Sequence, residues 1–384
     1  MRNRLLLLIF LALLLLAACR APLRPSRCPF EEGTVQIGVL LSEGGAAQAA
    51  SEELLRGYEL ALAEINAQGG VMGCRMEVVF GDDGSDPARV PQAVQALAQE
   101  SRAMLIIGAP TEESTITAAG VAAFYQTPLL VPAASDERLT TQGNEWLFRL
   151  SAPSSAYAAA ALDAIEEHAG RYAAVAVVYE DSLFGQRNAL PFASGAEARG
   201  LQIVAYESYP AGALAASDVI TRLQGNSFEA LYFVAQADDA LALLEQCRAL
   251  EINPALYVGN IGSADPSLLA AGAPTEGVLL TVGWHPDWPY PPAADFASAF
   301  QSRYHRAPVA SNAQAYTAFY VAREALRLAA EDRRLDWHDT AAARLAVRDA
   351  LRALEMETAL GTVRFGAGGQ NEPPVAIVQV VGGE

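Results

Sequence analysis

Five short segments rich in hydroxyl, carboxyl and amide side chains each follow an apolar run in the sequence. Two are in the first half of the chain, at residues 109–114 and 133–136, and three are in the second half, at residues 181–185, 234–237 and 259–262. Side chains of these types, together with the free N–H groups at the start of a helix, can bind a small polar or anionic molecule. The segments therefore predict a ligand-binding site.

An exported hydrolase that uses carboxylates such as Glu112 and Asp181 is the enzymatic alternative. Its chemistry needs a nucleophile held beside a base, and the sequence contains no recognisable pair of this kind. The chain has no lysine, which excludes a P-loop, a Schiff base and a pyridoxal-phosphate anchor. The patterns H-E-x-x-H, C-x-x-C and G-x-S-x-G are absent as well. We therefore predict no catalytic residue, no metal site and no cofactor.

The first residues have the pattern of a secretion signal. Two arginines precede an apolar run over residues 5–16, and small residues then lead to Cys19. The run is shorter than the roughly 20 apolar residues of a membrane-spanning helix. Its Leu-Ala-Ala-Cys ending resembles the lipobox of bacterial lipoproteins, in which the cysteine is lipidated. We predict a signal peptide over 1–18 and a linker over 19–33 that begins at the lipidated Cys19; the alternative is an ordinary cleaved signal with an incidental cysteine.

The composition indicates a folded, acidic protein. The 384 residues are 52% hydrophobic, and their formal net charge is −18. This length allows two or three domains with sizeable cores. An acidic surface repels phosphate backbones, which argues against nucleic acid as a partner. We expect a monomer that is exported and held by its lipid at the outer face of the bacterial cytoplasmic membrane.

Apolar strand segments alternate with helix-like segments in two successive series. The first series runs from Val35–Leu41 to Leu129–Val131, and the second runs from Ala173–Tyr179 to Leu256–Gly259. Such alternation is typical of right-handed βαβ units and of a parallel sheet. We therefore predict an α/β protein with two doubly wound, Rossmann-like domains.

The C-terminal part of the chain has a different pattern. Three long helix-like segments between residues 294 and 354 have too few strands among them to form a third sheet, and a final strand is predicted over Val375–Val381. We expect the helices to cover the first domain and the strand to join the second, so that several chain crossings form a hinge. The predicted lobes comprise 34–150 plus 283–358 and 151–282 plus 359–384.

Cys28 and Cys74 each lie shortly before a predicted strand. The first two strands of a doubly wound sheet are parallel neighbours, which brings their starting ends to the same edge. An exported protein can oxidise such a pair. We predict a Cys28–Cys74 disulfide, whereas Cys247 lies in an amphipathic helix and is predicted to be a small buried hydrophobic residue.

The order and spacing of several short segments resemble the branched-chain-amino-acid-binding proteins that serve ABC importers. These segments are Arg56-Gly57, Gly69-Gly70-Val71-Met72-Gly73, Gly81-Asp82-Asp83, Thr127-Pro128, Glu180-Asp181-Ser182-Leu183-Phe184-Gly185 and Leu360-Gly361-Thr362-Val363-Arg364-Phe365. The resemblance extends from Val35 to Val381 and implies the type I periplasmic-binding-protein fold. In open α/β sheets the ligand crevice lies beyond the carboxyl ends of the strands, so the site is expected between the two lobes.

The resemblance also implies roles for particular residues. Members of this family hold the carboxylate of an amino acid with hydroxyl and backbone N–H groups, and Ala134 and Ser135 match these positions. Phe184 matches an aromatic residue that closes over the ligand. Thr111 and Asn260 lie in segments that are expected to face the same crevice.

Three positions depart from the family pattern. Glu112 stands where a small hydroxyl residue meets the ligand carboxylate, Ile261 stands about where the acid that binds the ammonium belongs, and Gln236 replaces an aromatic residue. A ligand carboxylate beside Glu112, or an ammonium beside Ile261, would lack its partner. All three stay in the predicted site, although Glu112 is alternatively only an acid that stabilises the start of a helix. Trp284, directly after a predicted strand, is placed near the hinge and the ligand.

These observations together predict a binding protein and not an enzyme. We expect a substrate-binding lipoprotein of an ABC importer, which captures a small polar solute, an amino acid or a related amide or acid, when its lobes close. The expected partners are this solute, the importer permease and, through the lipid on Cys19, the membrane. The alternative is a sensory module that passes the closed state to a separate signalling partner.

Overall fold

The computed structural model describes residues 28–30, 32–170, 173–214, 218–260, 262, 268 and 271–382. Their strands are β1 (Thr34–Leu41), β2 (Arg75–Asp82), β3 (Ile106–Ile107), β4 (Leu129–Val131), β5 (Leu147–Arg149), β6 (Ala174–Glu180), β7 (Gln202–Tyr209), β8 (Ala230–Val234), β9 (Leu256–Gly259), β10 (Leu279–Val282), β11 (Glu355–Thr358), β12 (Gly361–Arg364) and β13 (Ala376–Gln379). The helices are α1 (Gln48–Ala67), α2 (Val90–Gln95, extended by a π-helical turn over Ala96–Glu100), α3 (Glu112–Phe124), α4 (Arg138–Thr141), α5 (Ser154–Ala169), α6 (Leu183–Arg199), α7 (Val219–Leu223), α8 (Ala237–Ala249), α9 (Pro291–Tyr304), α10 (Ala310–Ala329) and α11 (Thr340–Ala353), and a short 3₁₀ turn covers Ala273–Thr275. Among the residues described, no helix combines the length and the apolarity that crossing a membrane requires.

The first sheet has five strands in the order β2-β1-β3-β4-β5, and all of its pairs are parallel. Helices cover both of its faces, so the interior strand β1 is buried along most of its length and reads as an apolar run. Val35 lies beside Met76 and Leu41 lies beside Asp82 in the register of β1 and β2. Because the strands are parallel, the segments that follow β3 and β4 leave the sheet at the same edge.

The second sheet has six strands in the order β7-β6-β8-β9-β10-β13. Its first five strands are parallel, and β13 is antiparallel to β10, with Val282 opposite Ala376. The prediction that a C-terminal strand joins the second sheet is therefore confirmed. Together the two sheets form the predicted α/β fold.

The three C-terminal helices pack on the first sheet, as the sequence predicts. The long helix α10 lies along α1, and Phe319, Ala322 and Leu326 of α10 are buried in the same core as β1. The two helices approach closely at Gly57, where an added Cβ would lie 2.3 Å from the carbonyl oxygen of Asn312. Glycine is needed at this position because a side chain would collide with the backbone of the facing helix.

The chain passes between the two sheets after β5, after β10 and after β12. These crossings form the hinge. The hairpin of β11 and β12 was not predicted. Leu360 in its turn, Val363 in β12 and Phe365 just after β12 lie in the core of the first lobe. The lobe boundary predicted between residues 358 and 359 stays a prediction. The pairing of β13 with β10 shows that the chain joins the second sheet at β13.

Cys28 and Cys74 are joined by a disulfide, with the two sulfurs 2.08 Å apart. The bond lies at the edge where β1 and β2 begin, because the register pairs Thr34 with Arg75 there. Cys247 is free and fully buried in the second lobe. The three cysteines in the described part of the chain therefore comprise one bonded pair at the start of the first lobe and one core residue.

The contact at Gly57 predicts different effects for two glycine-to-alanine substitutions in helices. Gly57→Ala should destabilise the protein by about 1–3 kcal/mol because the new methyl group overlaps the Asn312 carbonyl. Gly120→Ala, in α3, is the matched control: no atom lies within 4 Å of its added Cβ, so it should stabilise the protein by about 0.5–1 kcal/mol. Urea unfolding measures both. A Gly57→Ala protein as stable as Gly120→Ala would contradict the close approach of α1 and α10.

Candidate functional site

The edges of the two sheets at which the parallel strands end face each other, and helix starts line the space between them. Thr111 is the N-cap of α3 in the first lobe, and its side-chain oxygen accepts a hydrogen bond from Ser114 N at 3.1 Å. Ser182 is the N-cap of α6 in the second lobe and accepts one from Gly185 N at 3.0 Å. Both hydroxyls therefore cap helices and hold the following residues at the cleft.

Glu112 is 5% exposed, and its carboxylate is bound by the loop that follows β4. Its Oε1 accepts hydrogen bonds from Ser135 N at 2.6 Å and from Ser135 Oγ at 2.9 Å. Its Oε2 accepts one from Asp136 N at 3.2 Å. Burial raises the pKa of the Glu112 carboxyl, and these hydrogen bonds offset part of the rise. The carboxylate of the chain itself thus occupies the donors of this loop.

Direct contacts join the lobes across the cleft. Asn188 Nδ2, on α6, donates a hydrogen bond to Ser135 Oγ at 3.2 Å. Leu183 N, at the start of the same helix, donates to Oε1 of Glu113 at 3.1 Å. Arg187 Nε lies 3.6 Å from an Asp136 carboxylate oxygen. The first turns of α6 therefore rest on the loop and helix that hold Glu112.

Asp136 and Arg149 connect this rim to the hinge. Burial favours the neutral form of Asp136, but hydrogen bonds from Arg138 and the charges of Arg138 and Arg187 hold its pKa below the ordinary value. Arg149 is fully buried and donates to the Asp136 carbonyl at 2.6 Å and to Gln370 Oε1 at 2.6 Å. Gln370 belongs to the last crossing between the lobes, so one guanidinium links the cleft loop to the hinge.

The second lobe contributes Phe184, Gln236 and Asn260. An added Cβ at Gly262 would lie 2.8 Å from the Phe184 ring and 2.9 Å from the Ala235 carbonyl, so these residues are packed together. Gln236 is exposed at the start of α8. Asn260 is fully buried and donates through Nδ2 to the Tyr232 hydroxyl at 2.8 Å, while its Oδ1 has no hydrogen-bond partner among the described residues.

Tyr157, on α5, lies at the crossing that follows β10. Its hydroxyl is buried and has no hydrogen-bond partner among the described residues, and an added Cβ at Gly283 would lie 2.4 Å from it. Trp284 follows directly, but its side chain turns into the first-lobe core. The indole stacks edge-on against Phe296 with ring centres 5.4 Å apart and donates to the Ala359 carbonyl at 3.0 Å.

The structure thus brings most of the predicted residues to one cleft. Thr111, Glu112, Ala134 and Ser135 line its first-lobe side, and Ala134 is held through its carbonyl by Ser151 Oγ at 2.7 Å. Trp284 lies at the hinge, and its indole N–H already donates to the Ala359 carbonyl. Ile261 and Cys19 lie outside the described residues. The ligand contacts of all these residues stay predictions.

Sequence reasoning missed Asn188, Arg187 and Tyr157, whereas Glu113 lies within the predicted segment 109–114. Asn188 lies four residues after Phe184, and positions with this spacing share one face of a helix. This spacing could have identified Asn188, because a cleft residue on α6 implies that the residue one turn later also faces the cleft. Tyr157 offered no such signal, because only the crossing of the chain brings α5 beside Gly283.

Residues 34–384 match the sequence profile of the periplasmic binding protein family. The chain belongs to this family. Its homologues are substrate-binding proteins of ABC transporters, which bind amino acids and other ligands and are not enzymes. The family assignment that the motifs suggested is therefore confirmed, and so is its placement among binding proteins.

This periplasmic binding protein is distantly related to proteins named for amino acids. It is 26% identical to an amino acid binding protein of Pseudomonas aeruginosa over 254 residues, which are 66% of this chain and 68% of that protein. It is 24% identical over 360 residues to Leu/Ile/Val-binding protein homolog 7 of Brucella suis, covering 88% and 86% of the two chains.

Solved structures show the same fold. The substrate-binding protein LivJ of Streptococcus pneumoniae in complex with isoleucine superposes with a TM-score of 0.80 at 23% identity, covering 91% of this chain and 97% of that chain. A solute-binding protein of R. palustris in complex with benzoate also gives 0.80, at 20% identity, covering 91% and 94%. The type I periplasmic-binding-protein fold predicted from the sequence is therefore confirmed.

The Asn188–Ser135 contact predicts a substitution that opens the cleft. Asn188→Ala removes a neutral hydrogen bond between lobes, worth about 0.5–1.5 kcal/mol, so the population of open molecules should rise up to about tenfold. Small-angle X-ray scattering should then show a larger radius of gyration. Asn226→Ala, which removes an exposed amide within the second lobe, is the control and should scatter like the unaltered protein. Identical scattering of the two variants would mean that Asn188 does not hold the lobes together.

Proposed function

We infer that this protein is the extracytoplasmic substrate-binding lipoprotein of an ABC importer and that it captures a small polar solute by closing two lobes. The observation that carries this proposal is the contact of α6 with the loop after β4, where Asn188 of one lobe meets Ser135 of the other. A solute held at this contact touches both lobes only when they are closed. Binding would therefore shift the population toward the closed form.

The class of solute is a small organic molecule, an amino acid or a related amide or acid. Relatives are named for leucine, isoleucine and valine, and proteins of the same fold were solved with isoleucine, leucine, benzoate and 3,4-dihydroxybenzoic acid. The cleft of this chain offers the matching kinds of group: a buried hydroxyl on Ser135, an amide on Asn260 and an aromatic ring on Phe184. These groups can orient a solute without any metal or cofactor.

The closed protein then delivers the solute to the importer permease. Release requires only that the permease bind the open form better, because a partner shifts an equilibrium by its difference in affinity for the two states. The three crossings after β5, β10 and β12 let the lobes rotate about a hinge, and they keep the lobes joined while the cleft is open. A monomer suffices for this cycle.

Attachment to the membrane rests on the N-terminal sequence. The apolar run over 5–16 and Cys19 give the pattern of a lipoprotein signal, and the first described strand begins at Thr34. Acyl chains on Cys19 would hold the protein at the outer face of the cytoplasmic membrane. Such a tether raises the effective concentration of the binding protein at its permease.

Native mass spectrometry of the detergent-solubilised protein, purified without refolding, tests the capture of a solute. We expect an additional mass of a small organic molecule, because a closed cleft retains its ligand through purification. Asn188→Ala should retain less of it, since the open form releases ligand. An empty wild-type protein that also shows no thermal shift with a broad metabolite panel would contradict solute binding.

Membrane fractionation tests the lipid anchor. Cys19→Ser should remove the mature protein from the membrane fraction, because serine cannot carry the thioether-linked lipid. Cys247→Ala, which changes a buried cysteine in the second lobe, should stay in the membrane fraction. If the mature Cys19→Ser protein remained bound to membranes as tightly as the control, Cys19 would not be the anchor.

A further inference from the structure

The carboxylate of Glu112 occupies a donor set of the kind that proteins use to bind anions. Ser135 N and Oγ and Asp136 N all donate to it, at 2.6, 2.9 and 3.2 Å. A carboxylate has room for about four hydrogen bonds, and charge-assisted bonds of this kind are strong. Three donors from one loop that converge on the end of a side chain form a complete subsite. In this chain a side chain of the protein itself, Glu112, occupies the subsite.

Other backbone N–H groups at the facing helix starts are also engaged by carboxylates of the first lobe. Glu113 Oε1 accepts from Leu183 N at the start of α6, at 3.1 Å. Glu137 Oε1 accepts from Ser155 N in the first turn of α5, at 2.8 Å. Helix starts attract anions because their N–H groups are free. Here Glu113 and Glu137 of the chain itself take that role, while Glu112 binds the N–H groups of the loop after β4.

The charges around the cleft reinforce this arrangement. Acidic side chains on α3, on the loop after β4, at the end of β6 and on the loop that follows it lie around the cleft, namely Glu112, Glu113, Asp136, Glu180 and Asp181. The arginines nearby are Arg138 and Arg187, which both pair with Asp136, and Arg149, which bonds to Gln370 and the Asp136 carbonyl. A solute carboxylate at the Ser135 donors would have to displace Glu112 or lie against it, and like charges at contact repel.

Three buried polar atoms around the cleft lack hydrogen-bond partners among the described residues: Asn260 Oδ1, the Tyr157 hydroxyl and Arg187 Nε, of which the last lies 3.6 Å from an Asp136 carboxylate oxygen. Asn260 Oδ1, at the end of β9, is an acceptor, and the Tyr157 hydroxyl, beside Gly283, can accept as well as donate. A buried acceptor without a donor is unfavourable until a donor arrives. Asn260 Oδ1 therefore points to a bound solute that carries an N–H or O–H group, and the Tyr157 hydroxyl can accept a hydrogen bond from such a solute as well.

We propose that the Glu112 carboxylate is a built-in substitute for a ligand carboxylate and that the solute of this protein presents an ammonium or amide N–H to this part of the cleft instead. The proposal rests on the proposed function and narrows its solute to amines and amides that lack a carboxylate at this subsite. Phe184 suits such a solute, because an aromatic face attracts cations.

Isothermal titration of the full-length, detergent-solubilised protein with matched probes tests the proposal. The probes are leucine, leucinamide and 3-methylbutylamine, which share a side chain, and benzoate, benzamide and benzylamine, which share a ring. The wild type should bind an amide or amine and not its matched acid. Glu112→Ser should empty the Ser135 donors, so the ratio of acid to amide affinity should rise by at least about tenfold, which is 1.4 kcal/mol.

Glu100→Ser is the matched control, because the substitution makes the same change of charge as Glu112→Ser. Glu100 is exposed at the end of the π-helical turn after α2. It should bind the probes like the wild type. Glu112→Gln keeps the shape of the side chain and removes its charge, so it serves if Glu112→Ser does not fold. It should reduce the discrimination against acids in the same direction.

The outcomes separate this proposal from the proposed function. A wild type that binds leucine or benzoate as tightly as the matched amide, with no change of the ratio in either Glu112 variant, overturns the built-in carboxylate and leaves solute binding intact. Glu112 variants that fold and gain no acid binding also overturn it. If no form of the protein binds any probe and none retains a solute in native mass spectrometry, solute binding itself fails and this proposal fails with it.

Discussion

Backbone N–H groups at the facing edges of the two lobes need acceptors, above all the buried ones after β4, because a buried donor without a partner costs about 1–3 kcal/mol. Carboxylates of the first lobe satisfy this need. Glu112 binds the N–H groups after β4, while Glu113 and Glu137 reach helix starts that belong to the second lobe. The same hydrogen bonds therefore complete the helices and hold the lobes in contact. The spacing of the cleft and the access of a solute to Ser135 both depend on where these carboxylates point.

Arg149 extends this constraint to the hinge. A fully buried guanidinium needs hydrogen-bond acceptors inside the protein. Arg149 donates to the Asp136 carbonyl in the loop after β4 and to Gln370 of the last crossing. Gln370 in turn donates to the Ser151 carbonyl at the first crossing, at 2.9 Å. Two of the three hinge segments and the cleft loop are thus parts of one network. A movement of the lobes that changes the loop must also rearrange these bonds.

The first lobe needs the C-terminal helices for its own stability. Its sheet has one face that α10 and its neighbours cover, and Gly57 allows α1 and α10 to pack with their backbones close together. The chain must therefore leave the second sheet after β10 and return to it only with β13. The division of each lobe into separate stretches of sequence follows from this packing. Relatives of the same fold carry the same architecture around different bound molecules.

The sequence by itself determined the two α/β sheets, the return of the C-terminal helices, the final strand near Val375–Val381 and the neighbouring positions of Cys28 and Cys74. These follow from local periodicity and from the pairing rules of parallel strands, which act over short stretches of chain. Only the tertiary structure decided the state of the cleft. Whether Glu112 meets a solute or binds Ser135, and whether Trp284 faces the ligand or the Phe296 side chain, depends on side-chain directions and on contacts between residues far apart in the chain. Periodicity places a residue on an element, but the direction of its side chain is set by the surfaces packed around it.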